Sequence, residues 1–99
     1  MVIDFHTHTF PDSIAAKTIK VLEGNADIKA FTDGTLQGLK ESMDGFIDLS
    51  VILPVVTKPS QFATINRFAA LLNEKERDVI SFGGMHPDTS DYKSELREI

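Results

Sequence analysis

The sequence predicts an α/β chain, and three observations carry that expectation. Short apolar runs fit for strands lie at residues 1–6, 48–54 and 79–84. Stretches with apolar residues at helical spacing separate them, and glycine or proline stands at the joins. Strands alternating with helices imply right-handed βαβ units. The three strands should therefore lie parallel and adjacent in chain order, with helices on one side.

Each element has its own reason. Residues 1–6 carry Val2 and Ile3 in an apolar run that reads as a strand, and Pro11 and Asp12 then mark a break. "SIAAKTIKVLEG" follows, with Ile14, Ile19 and Leu22 at roughly helical spacing and Gly24 closing the helix; Asp12 reads as its cap. "TDGTLQGLKESMDG" holds a shorter helix with Leu36, Leu39 and Met43 on one side and Gly45 after its end. "IDLSVILPVV" is nearly continuous in apolar character, the signature of a strand buried on both faces, with Pro54 at its exit. Pro59 suits the first turn of a third helix, whose Phe62, Ile65, Phe68, Ala69 and Leu72 form a core stripe. "VISFGGMHPD" is the third strand, running into Gly83 and Gly84, where the backbone can bend. "TSDYKSELREI" begins a last helix with Ser90 as its N-cap.

Composition narrows the function. The chain has 99 residues, 41% of them hydrophobic, enough for the core of one domain or part of one. A net charge of −5 disfavours nucleic acid and anionic membrane as partners, because both want a basic face. With no cysteine, disulfides, thiolate metal sites and a cysteine nucleophile are excluded, and a reducing cytoplasm is the expected compartment. The N-terminus lacks the pattern of a secretory signal, and the longest apolar stretch, Val51 to Val56, is too short to span a bilayer.

The chemistry concentrates at "VIDFHTHTFPD", which holds two of the three histidines. His6 and His8 are two apart, so on a regular strand they project to one face, with Asp4 on the same face one step back. Two imidazoles on a rigid backbone can bind one divalent ion without ordering a long loop. His86 stands at the end of the third strand, so all three histidines fall at carboxyl ends of parallel strands, where such sheets build their sites. His86 can equally be a structural histidine that caps its strand. No G-x-G-x-x-G or Walker pattern is present.

"IDFHTHTFPD" resembles the first-strand H-x-H signature of the amidohydrolase superfamily, particularly its amidohydrolase-related branch of TIM-barrel metal-dependent hydrolases. The segment from Gly45 to Pro54 is similar to second strands of that branch, and "FGGMHPD" to its glycine-histidine-proline segment on the third. The likeness covers essentially the whole chain. It implies three βα units of a parallel (β/α)8 TIM barrel, truncated, with residues 1–99 as the N-terminal part of the barrel domain. It further implies a divalent metal, most readily Zn²⁺, held by His6 and His8. His86 would lie near the substrate pocket without being a ligand.

The implied activity is hydrolysis of an amide, ester or related bond in a small-molecule substrate by a metal-activated water. Non-oxidative decarboxylation by relatives in the same branch is the alternative. A complete barrel of this kind needs about 250 residues. The remaining ligands and the catalytic aspartate are therefore expected beyond Ile99, and this stretch alone is expected to be inactive. Two further readings stay open: a phosphoesterase or deoxyribonuclease opening with the same D-x-H-x-H, and a non-catalytic interaction module. Three units cannot close a barrel, so an uncovered sheet edge and apolar face should make the chain self-associate.

Overall fold

The structure is a computed structural model describing residues 1–27, 29, 30 and 32–99. Its elements run β1 (Ile3–Thr7), α1 (Asp12–Ala26), α2 (Leu36–Met43), β2 (Leu49–Ile52), α3 (Phe62–Lys75), β3 (Val79–Ser81) and α4 (Tyr92–Glu98). A single 3-10 turn, Pro59–Gln61, leads into α3. The three strands form one parallel sheet in the order β1-β2-β3, as expected from the alternation. No hairpin pairs any two of them.

The strands are shorter than the apolar runs that announced them. β2 stops at Ile52, two residues before Pro54, whose missing N–H and whose restriction of Leu53 favour an exit there. β3 stops at Ser81, and residues 82–86, including Gly83 and Gly84, where the sequence predicts a bend, continue from it without a bend or turn. The first helix runs past Gly24 and closes at Asp27, which adopts the left-handed conformation at φ 52°. One interior glycine costs a helix only about 1 kcal/mol, which its neighbours can offset. Asp12 is the first residue of α1 and makes no cap bond; its charge meets the positive end of the helix dipole instead. The last helix is capped by Asp91, not Ser90, with the Asp91 carboxylate accepting from the Ser94 N–H.

The core lies on the helix-covered face of the sheet. Ile52 and Val79 are 1% and 2% exposed and pack with Leu39 and Met43 of α2 and Leu72 of α3. Each such aliphatic side chain contributes about 1.5–3 kcal/mol by leaving water. The α3 stripe is as the spacing requires, with Phe62, Ile65, Ala69 and Leu72 buried and Phe68 packed at the edge of the core. The α1 stripe is not: Ile14, Ile19 and Leu22 are only half-buried, and Ala15 and Thr18 are the buried residues of that helix.

Phe10 anchors the segment between β1 and α1 at 1% exposure, its N–H donating to the Gly34 carbonyl. Gly34 has φ +81°, and a Cβ there would come within 2.7 Å of Ile19, so only glycine fits. Lys40 ties α2 to the end of α3 by ion pairs of 2.6 Å to Glu76 and 3.3 Å to Asp78. The bond to Glu76 chiefly, with Asp78 helping and partial burial opposing, holds the Lys40 ammonium above the usual lysine range.

The opposite face of the sheet is open. Ile3, Phe5, Ile80 and Phe82 all stand exposed on it, and only the middle-strand Val51 is buried. The two edges differ. On β3 the backbone groups turned away from β2 are taken by α3. The Asn73 carboxamide accepts from the Ser81 N–H at 2.7 Å and donates to the Ser81 carbonyl at 2.8 Å. Asn66 does the same for Gly84, at 2.8 Å in each direction.

Candidate metal centre

β1 and β2 are not in simple register. Asp4 pairs with Ser50 and Thr7 with Ile52, so three steps on β1 span two on β2. The extra residue is a bulge in which Phe5 and His6 together oppose Val51. This corrects the expectation from strict alternation. Asp4 and Thr7 fall in line with Ser50 and Ile52 on the helix-covered face, while His6 and His8 flank Thr7 and project to the other. Asp4 lines the same cleft as both histidines, but the three do not come together as a donor cluster. One of its carboxylate oxygens accepts the His6 N–H at 3.1 Å, which steadies the bulge.

The end of β1 is pinned to β2 by several bonds. Thr7, 9% exposed, donates its hydroxyl to the Val51 carbonyl at 2.8 Å, and its own carbonyl accepts from the Leu53 N–H at 2.8 Å. The Leu53 carbonyl then lies 2.6 Å from His8 Nδ1. A carbonyl can only accept, so Nδ1 carries the proton and the Nε2 lone pair is left for a ligand. The His6 and His8 rings meet edge to face with centroids 5.0 Å apart. Both histidines are exposed, and with Asp4 they are among the residues bordering a cleft of about 410 Å³ along the β1 edge of the sheet, walled by Phe10, Ile19 and Leu22.

The donor set fits a divalent ion in part. Two adjacent imidazoles, one with its tautomer fixed by a backbone carbonyl, are the arrangement that metal-binding histidines adopt. Among the described residues no third histidine, aspartate or glutamate completes a cluster with them. Glu23 lines the same cleft, but its carboxylate accepts the Ala30 N–H at 2.7 Å.

His86 lies beyond Gly83 and Gly84 and is not among the residues lining that cleft. Its Nδ1 is 3.1 Å from the Asp88 N–H, which can only donate. Nδ1 is therefore the unprotonated nitrogen, and neutral His86 carries its proton on Nε2, the reverse of His8. The Leu53 carbonyl is the contributor that side-chain motifs could not reveal. A parallel pairing of β1 with β2 is the one signal that would have put it beside His8.

No described helix is long and apolar enough to cross a membrane. Fold and site together define an α/β chain with a strand-borne histidine pair. Compared with known proteins, it matches no family model, no curated protein and no solved structure.

Proposed function

We propose that the chain is part of a metal-dependent hydrolase barrel of the amidohydrolase type, with His6 and His8 as ligands of a divalent ion, most readily Zn²⁺. The observation that supports this reading is the His8 ring, held through Nδ1 by the Leu53 carbonyl with Nε2 free, beside a second imidazole at 5.0 Å. A metal bound there would supply a Lewis acid able to polarise a carbonyl or lower the pKa of a bound water. The chain's own residues do the positioning. Leu53 and Thr7 fix the end of β1, Asp4 holds the bulge, and His86 presents an Nε2–H that can donate to an acceptor on a substrate. The third ligand and the acid that manages the proton belong to residues outside 1–99, so this stretch alone should not turn over substrate. An amide or ester is the substrate class we favour, and decarboxylation of a conjugated acid uses the same donors.

The test is calorimetry with Zn²⁺ on the wild type and on the His6→Ala/His8→Ala double variant. Two imidazoles leave a tetrahedral shell half filled, so wild-type binding should be no tighter than about micromolar. The double variant should show no binding. Indistinguishable titrations would remove the metal site and with it the main support for the enzyme reading.

A further inference from the structure

A second cleft, of about 380 Å³, lies between the first turns of α1 and the segment that carries β2 into α3. That volume falls within the range of small-molecule pockets, roughly 300–1,000 Å³. Its polar lining consists of cations and neutral groups: Lys17 and Thr18 from α1, then Thr57, Lys58, Ser60, Gln61 and Thr64. No carboxylate lines it, although the chain has 15 acidic residues against 10 lysines and arginines. The lysine ion pairs among the described residues are those of Lys40, so Lys17 and Lys58, which both line the cleft, have no carboxylate partner among the described residues.

The Gln61 carboxamide is oriented by its neighbours. Its Oε1 accepts both the Thr57 N–H at 2.9 Å and the Thr57 hydroxyl at 2.8 Å. A backbone N–H can only donate, so the oxygen must face Thr57 and the amide NH2 is the side left for a ligand. No side chain caps either the Pro59–Gln61 turn or α3, so the positive end of that 14-residue helix adds to the same field. Thr18 is 8% exposed, so one polar group of the lining is deeply buried. The rest of the wall is apolar, from Ile14, Val21 and Ile65.

The geometry points to a binding site for a small organic monocarboxylate with an apolar body. Its carboxylate lies between Lys17, Lys58 and the Gln61 amide, and its hydrocarbon part rests on Ile14, Val21 and Ile65. Inorganic phosphate has the charge but nothing to place on the apolar wall. A neutral analogue has the body but nothing for the lysines. The site shares no residue with the histidine pair and does not depend on the metal reading.

The test is an amide-resolved NMR titration of the whole chain at constant pH and ionic strength, with benzoate, benzyl alcohol and inorganic phosphate as probes. Benzoate should shift the Thr18, Ser60, Gln61 and Thr64 amides saturably, with Kd on the order of 1 mM. Lys17→Gln and Lys58→Gln, both at exposed positions, should each raise that Kd about tenfold through loss of a charge-assisted bond. Lys93→Gln on α4 should leave it unchanged, and the spectra themselves report whether each variant is folded. Benzyl alcohol and phosphate should bind at least about tenfold more weakly than benzoate. Unsaturable benzoate shifts, a Kd indifferent to both lysine variants, or equal binding of either control probe would overturn the assignment.

Discussion

The seal on the outer edge of β3 can be broken by one substitution. Asn73→Ala removes two hydrogen bonds, of 2.7 and 2.8 Å, and leaves the N–H and carbonyl of Ser81 without partners. Ser81 is only 6% exposed, so water replaces the carboxamide poorly. At about 1 kcal/mol per bond, the variant should lose about 2 kcal/mol of stability. Urea denaturation should show this as a lower midpoint at unchanged slope. A loss of that size should speed exchange of the Ser81 amide about 30-fold if it opens by local or global unfolding. Asn73→Asp separates the two halves of the clamp, because its carboxylate can still accept from the Ser81 N–H but now faces the Ser81 carbonyl with like polarity. It should be at least as damaging as alanine. A destabilisation below about 0.5 kcal/mol, the level of an ordinary surface substitution, together with unchanged Ser81 exchange would show that the clamp contributes nothing.

Three further outcomes are expected. Ser50 is fully buried and its hydroxyl has no partner among the described residues, so Ser50→Ala should be neutral or stabilise by up to about 1 kcal/mol; a clear loss in urea denaturation would show that the hydroxyl is bonded. Lys40 titrates above the usual lysine range in the folded chain, so its contribution is fully present below about pH 10.4 and fades as pH rises through the folded value. Lys40→Met should flatten that alkaline limb by less than about 1 kcal/mol, the pair being partly exposed, and an unchanged limb in pH-dependent denaturation would refute the coupling. The open sheet face should make the 99-residue chain associate as concentration rises, and Phe5→Glu with Phe82→Glu should reverse this; light scattering that reports a wild-type monomer throughout would count against it.

Much of the fold could be read from residue patterns because its determinants are local. Pro59 and the Phe62 to Leu72 stripe announce α3 by steric restriction and spacing, and the run from Ile47 to Leu53 announces a strand that must be buried. The α1 stripe misled because amphipathic spacing shows which residues share a face, while burial depends on what packs against that face. Asp91 displaced Ser90 as a cap by one position, a choice between two good cappers that neighbouring chemistry does not decide. At the site, the H-x-H spacing correctly brought His6 and His8 together. It failed for Asp4 because a bulge is set by pairing with another strand, and the period of two holds only in its absence. The tautomers of His8 and His86 were illegible for the same reason: each is dictated by a backbone group, Leu53 in one case and Asp88 in the other.

The bulge also makes the first strand unequally tolerant of changes in length. Between Asp4 and Thr7 the strand holds one residue more than its neighbour needs. Removing Phe5 would let His6 alone oppose Val51, so both histidines would keep their side of the sheet while Asp4 and Thr7 kept theirs. Removing a residue elsewhere in the strand, or adding one, would reverse the phase of everything beyond it and turn one imidazole toward the helices. The strand thus carries a single spare residue, and it stands directly before the histidine pair.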